Sequence, residues 1–198
     1  MLAGALQACD SGAAAPTREN FQHAIESFLA ERGDLCLAMF DWPIDLTPAE
    51  AGARGRHALQ LPVLEKLGLA RSTVVEVART DADPQGVVKR YELTDAGRRF
   101  YKPHAHTASG GVAHANDFCA AHLSLDRVVD WQIGPDRSHP QALVSYTYHV
   151  EPAPWMKDAD AQRVFPMVMR VIDGADGQLQ LKQALVAGER GWVARPGL

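Results

Sequence analysis

Apolar positions along the chain divide it into helical and extended stretches. Phe21, Ala24, Ile25, Phe28 and Leu29 recur every three or four residues, which predicts a helix from about Arg18 to Arg32 with one face in a core. Thr17 is placed to cap it, Glu19 suits its first turn, and Gly33 ends it. The run Leu35 to Phe40 reads as a short strand. Thr47-Pro48-Ala49-Glu50 has the form of a capping box with proline in the first turn, so a short helix follows and breaks at Gly52 and Gly55. Another helix begins near Arg56 and ends at Gly68, with Pro62 delaying or kinking it. Thr73 to Thr80 and Val87 to Leu93 carry paired valines on either side of turn residues, which predicts a hairpin. Thr94 then caps a short helix, Asp95 to Tyr101.

Residues 102–122, rich in His, Ala and Gly, read as a connecting loop. Beyond it the period falls to two. Leu125, Arg127, Val129, Trp131 and Ile133 share one strand face, and Val144, Tyr146, Tyr148 and Val150 share the next, with a turn at Pro135 to Pro140. Asp158 or Asp160 caps a helix with Ala161, Val164, Phe165, Val168 and Ile172 on one side, and Pro166 should kink or split it. Gly174 to Gly177 turns into a strand with Leu179, Leu181 and Leu185 inward, and Gly188 to Gly191 turns again before Trp192-Val193. The fold expected is α+β: an N-terminal part packed against an antiparallel ββαββ part. The divisions are a tether (1–16), a first part (17–101), a connector (102–122) and the ββαββ part (123–198).

The order helix, strand, helix, helix, hairpin, with Leu64-Glu-Lys-Leu-Gly-Leu69 followed by Tyr91-Glu-Leu-Thr-Asp-Ala-Gly97, resembles winged-helix regulators. The resemblance covers about residues 18–101 and implies a winged-helix-like fold. It also makes Arg54, Arg56, His57, Lys66, Lys89 and Arg90 candidates for phosphate contacts. Glu65, Asp81 and Asp83 lie among them and dilute that surface.

With 46% hydrophobic and 22% charged residues the chain can bury a core, and its net charge is -4. Residues 16–105 hold 12 basic and 13 acidic side chains, and residues 106–198 hold 8 and 10. Neither half is basic, so non-specific attraction to nucleic acid is not favoured. No apolar run approaches the ~20 residues of a spanning helix.

Leu6-Gln7-Ala8-Cys9 resembles a bacterial lipobox, and Asp10-Ser-Gly-Ala-Ala-Ala-Pro16 has the small polar composition of a tether. The resemblance implies lipidation at Cys9 and anchorage to the periplasmic face of a bacterial membrane. Only eight residues precede Cys9 and none is basic, so a complete leader would start upstream of Met1. Asp10 resembles the inner-membrane retention signal of enterobacterial lipoproteins. With Cys9 acylated, Cys36 and Cys119 remain as a pair, and an even number in an oxidising compartment suggests a disulfide. In a cytosolic protein they would instead be two buried thiols. Val144-Ser-Tyr-Thr-Tyr148, Ala153-Pro-Trp155, Phe165-Pro166 and Gly191-Trp192 also resemble features of uncharacterised proteobacterial lipoproteins. Those pair a cysteine near the first strand with one before the sheet.

No nucleophile elbow, phosphate-binding glycine loop, H-E-x-x-H or C-x-x-C occurs, which moves expectation from an enzyme to a binding role. His104, His106, His114 and His122 fit no zinc-ligand spacing, so neither metal nor cofactor is expected. Asp41, Asp45, Asp126 and Asp130 are the candidate paired carboxylates. Trp131, Trp155 and Trp192 are candidate ligand-pocket aromatics, or else core anchors. Two functions stand against each other. One is a cell-envelope lipoprotein acting as a non-catalytic binding or assembly module, with the membrane and an envelope protein as partners. The other is a cytosolic winged-helix DNA-binding regulator with a C-terminal sensor or dimerisation domain.

Overall fold

The computed structural model describes residues 12–79, 86–107 and 111–195. They form an α+β fold with antiparallel sheets. In chain order the elements are α1 (Arg18–Arg32), β1 (Asp34–Cys36), β2 (Ile44–Leu46), α2 (Pro48–Ala53), α3 (Arg56–Lys66), β3 (Ala70–Glu76), β4 (Val87–Leu93), α4 (Asp95–Arg98) and β5 (Tyr101–Thr107). There follow β6 (Ala113–Ile133), β7 (Gln141–Pro152), a 3₁₀ turn (Pro154–Lys157), α5 (Ala159–Val164), α6 (Pro166–Asp173), β8 (Leu181–Gly188) and β9 (Gly191–Ala194). The chain divides into two compact units, each built from separate segments.

The first unit comprises Met1–Gly33, Leu123–Val150 and Asp173–Leu198. Its strands run in the order β6, β7, β8, β9. Gln141 stands opposite Val186 and Tyr146 opposite Leu181, while Gly188 and Gly191 close the last hairpin. Helix α1 begins where the Thr17 hydroxyl accepts a bond from Asn20 N–H. Its Phe21 and Ile25 are fully buried, and Phe21 meets the rings of Trp131 and Trp192 at 5.3 and 4.9 Å. Val144, Tyr146 and Tyr148 are buried, as their alternation predicts. On the part of β6 in this unit Leu123 and Val128 are buried, whereas Arg127 is exposed and Trp131 is half-buried beside Phe21. Residues of both parities are covered there, so an alternation rule that assumes one wet face assigns the strand wrongly.

The second unit comprises Asp34–His122 and Glu151–Ile172. It contains a three-stranded sheet in the order β2, β4, β3, with Ile44 opposite Tyr91 and Ser72 opposite the same Tyr91. Its core gathers Leu61, Leu64, Tyr91, Phe118, Trp155, Met156 and Phe165. The capping box at α2 is complete: the Thr47 hydroxyl accepts from Glu50 N–H, and the Glu50 carboxylate accepts from Thr47 N–H. Pro62 sits inside α3. Pro166 divides the C-terminal helix into α5 and α6 after Phe165, because proline supplies no N–H to continue the ladder.

Among the described residues of 102–122, strand takes the place of the expected loop. Tyr101–Thr107 pairs with the start of β6, Tyr101 opposite Phe118 and Lys102 opposite Asp117, with a register shift between Pro103 and His106. Ala, His and Asn have weak strand preference, and strand formation here is decided by the partner across the ladder. The predicted strand Leu35 to Phe40 ends at Cys36. Asp117 explains the early stop. Its buried carboxylate accepts the N–H groups of Ala38 (3.0 Å), Met39 (2.7 Å) and Phe118 (2.7 Å), and Ala38 takes a left-handed backbone with φ 53°. These bonds fold the chain away from the ladder. The helix predicted to reach Tyr101 closes after one turn at Arg98, and the strand predicted from Leu179 starts at Leu181.

Candidate functional site

Cys36 and Cys119 are bonded, with S–S 2.07 Å and Cα atoms 3.8 Å apart. The Cα separation lies below the usual 4.4–6.8 Å window. The two residues are direct partners on the antiparallel pair β1 and β6, where opposing backbones approach most closely. The bond ties the first strand to the beginning of the long strand β6, as the pairing predicts. Both cysteines belong to the second unit.

The segment Leu35–Ala38, carrying one half of this disulfide, forms one wall of a groove of about 830 Å³. Helix α3 supplies Leu59 and Gln60, and the α5–α6 junction supplies Phe165, Met167 and Val168. The local sequence explains this arrangement. Leu61 and Leu64 are buried and fix the inward face of α3, which leaves Leu59 displaced toward the groove and 43% exposed. Pro166 starts a new helix, and Met167 stands 70% exposed on its first turn. Long apolar side chains in water beside a concave apolar wall are the features of a binding surface.

Three guanidinium groups rim the groove: Arg54, Arg56 and Arg163. Arg56 donates to the carbonyls of Leu37 (3.4 Å) and Ala38 (3.1 Å). Those acceptors are neutral, so its charge is held in place without being cancelled. Arg163 pairs with Asp160, but the same carboxylate also takes Lys66, leaving two cations on one anion. Arg54 sits on the left-handed residue that ends α2 (φ 54°) and pairs with no carboxylate among the described residues. Gln60 is buried. Its Nε2 donates to Val164 O at 3.1 Å, while its Oε1 has no hydrogen-bond partner. The groove therefore combines an apolar floor and a cationic rim.

The other predicted residues fall in several places. Lys89 pairs with Glu65 at 3.0 Å, and Arg90 makes two bonds to Asp45 at 2.7 and 2.6 Å. With Lys66 on Asp160, half of the six candidate phosphate ligands are already matched to carboxylates. Burial, with the Arg56 charge beside it, holds the His57 imidazole below its ordinary range, which disfavours a cationic contact. Trp155 lies in the core of the second unit, against Phe165 (5.5 Å) and Phe118 (5.8 Å). Trp131 and Trp192 meet at Phe21 in the first unit, where Trp192 also lines a hollow of about 460 Å³ with His23, Glu31 and Arg190. Trp155 thus belongs to the second unit and the other two to the first. Asp41 faces His114 at 3.0 Å, Asp126 accepts from the Thr147 hydroxyl at 2.7 Å, and Asp130 is exposed. His122 bonds Asp34 at 3.0 Å. Among the described residues no three His, Cys, Asp or Glu converge as a metal site. Cys9 and its neighbours, with Asp81 and Asp83, lie outside the described residues.

Sequence reading missed the groove. Two signals pointed to it: Leu59 lies off the stripe of Leu61 and Leu64, and Met167 directly follows a helix-starting proline. No protein-family model, curated protein or solved structure matches the chain.

Proposed function

We propose that this protein is a lipid-anchored cell-envelope module that binds a ligand or partner without catalysing its conversion. The observation that carries this reading is the Cys36–Cys119 disulfide, since such bonds persist in oxidising compartments and are rare in the cytosol. The lipobox-like Leu6-Gln7-Ala8-Cys9 supplies the anchor, and the small polar residues behind it supply the tether. The groove of the second unit supplies a concave surface for recognition. The decisive experiment is metabolic labelling with radiolabelled palmitate. Label on the wild type and none on Cys9→Ser supports the anchor; absence of label from both defeats it.

The second reading, a winged-helix-like DNA regulator, is favoured by one observation. Strand β2, helices α2 and α3, and the β3–β4 hairpin follow in that order, with β4 central in the sheet. The ββαββ reading of residues 123–198 keeps its support from β6, β7, the α5–α6 pair, β8 and β9. Against DNA binding stand the pairs Lys66–Asp160, Lys89–Glu65 and Arg90–Asp45. Each would have to be broken before its cation met a phosphate. A salt-sensitive shift of duplex DNA at low micromolar protein would overturn the envelope reading in favour of the regulator.

A further inference from the structure

We infer that the groove of the second unit binds a single-chain anionic amphiphile, its tail on the Leu59, Phe165 and Met167 floor and its carboxylate or phosphate head at Arg54, Arg56 and Arg163. The inference rests on the binding-module reading and names its ligand class.

Size comes first. About 830 Å³ falls within the range of sites that enclose small molecules. The floor is aliphatic and aromatic, and its two most exposed members, Leu59 and Met167, lose contact with water once a tail covers them. Methionine adapts to tails of different shape.

Charge selects the head. The chain as a whole carries -4, yet this rim holds three arginines. Their local partners are two backbone carbonyls and one carboxylate that Lys66 shares. An anion arriving there meets guanidinium groups that need not break a one-to-one ion pair first. Guanidinium also offers paired N–H donors that match a carboxylate or a phosphate in one plane. A cationic or uncharged head gains none of this.

The test is calorimetric titration of the purified protein with four twelve-carbon probes, each below its micelle concentration. The probes are dodecanoate, dodecyl phosphate, dodecyltrimethylammonium and dodecyl maltoside. Both anions should bind with dissociation constants in the micromolar range. The maltoside should bind at least tenfold more weakly and the ammonium should give no saturable heat. Whichever anion binds tighter identifies the head as carboxylate or phosphate. Arg54→Gln and Arg163→Gln should each weaken the anions several-fold and leave the maltoside unchanged. Met167→Glu, at an exposed position where folding is not at risk, should abolish anion binding. Equal binding of the ammonium and the anions, indifference to Met167→Glu, or no saturable heat from either anion would each overturn the inference. Palmitate labelling at Cys9 is independent of these titrations, so an unfilled groove and an unlipidated protein are separate outcomes. If the groove is instead covered by a second copy of the chain, sedimentation will show a dimer that Met167→Glu dissociates, and that result also overturns the inference.

Discussion

Gly97 is the position where two ordinary effects oppose each other most sharply. It lies in α4, and replacing a helical glycine by alanine normally stabilises by about 0.5–1 kcal/mol. Here an added Cβ would stand 1.9 Å from Leu69 O, 2.9 Å from Leu69 C and 3.2 Å from a Leu93 methyl. To reach even 3.0 Å from that oxygen the helix must retreat by about 1.1 Å. The retreat pulls on two bonds that fasten α4: Thr94 N–H to Leu69 O at 3.1 Å, and the Thr94 hydroxyl to Gly68 O at 2.6 Å. Each is worth about 1 kcal/mol net, and a buried carbonyl left without a donor costs about 1–3 kcal/mol more. The clash therefore wins, and Gly97→Ala should destabilise by about 3 kcal/mol after the helical gain is subtracted. In a chain of this size that is a fall of roughly 6–12 °C in thermal midpoint. Gly52→Ala is the control. Gly52 lies in α2 with nothing within 4 Å of its Cβ position, so the same substitution should stabilise by about 0.5–1 kcal/mol. Urea unfolding followed by circular dichroism and tryptophan emission measures both. A Gly97→Ala protein as stable as wild type would refute the reasoning, because the close approach to Leu69 would then carry no cost.

Three further outcomes follow from named contacts. Replacing Cys36 and Cys119 together by serine should lower stability by on the order of 4 kcal/mol, from the loop entropy of a separation of 83 residues. Reductant should then shift the urea midpoint of the wild type alone, and an equal shift in both proteins would contradict it. Burial by itself raises the Asp34 carboxyl, but hydrogen bonds and charge from Lys102 and His122 outweigh it and hold the group below its ordinary 3.8. A depressed carboxyl contributes above its unfolded-state value and loses that contribution as pH falls through the folded one. The stability gap between wild type and Asp34→Asn should thus begin to narrow as pH falls below about 4, and a gap that widens on acidification would sink the assignment. Trp155 Nε1 is buried without a hydrogen-bond partner, so Trp155→Phe loses volume and no bond. It should cost under about 1.5 kcal/mol where Trp155→Ala costs about 3–5, and equal costs in chemical unfolding would count against this reading.

What the sequence makes legible is local. Thr17, Thr47, Thr94 and Asp158 each cap a helix because a short oxygen-bearing side chain reaches N–H groups two or three residues ahead. Pro166 splits its helix for an equally local reason. The 102–122 stretch fails for the opposite reason. Pro103, His104 and Ala105 do not favour a strand among themselves, and the segment's pairing comes from Phe118, Asp117 and Asn116 opposite Tyr101, Lys102 and Pro103. The resemblance to winged-helix regulators draws on residues with local work to do. Thr94 fastens α4 to Gly68 and Leu69, Gly68 takes φ 70°, and Gly97 lets Leu69 O come close. A chain that needs this junction needs these residues, whatever its surface binds.

The groove was hidden because its parts lie far apart in the chain. Arg54, Leu59 and Met167 occupy separate helices or their ends, and no spacing rule links position 59 to position 167. What joins them is the buried network beneath. Phe165 packs on Trp155, Trp155 on Phe118, and Phe118 stands beside Cys119, whose partner Cys36 lies in the opposite wall. Asp117 turns Ala38 and Met39 at the end of that wall, and Arg56 then holds the carbonyls of Leu37 and Ala38. The disulfide, the buried carboxylate and one rim arginine thus set the position of a single short segment. Rigidity of that kind costs chain entropy, and a surface left apolar above it stays exposed to water in the unbound protein. Folding alone requires neither at residues 59 and 167, where a polar side chain would serve as well. A ligand that covers them accounts for both.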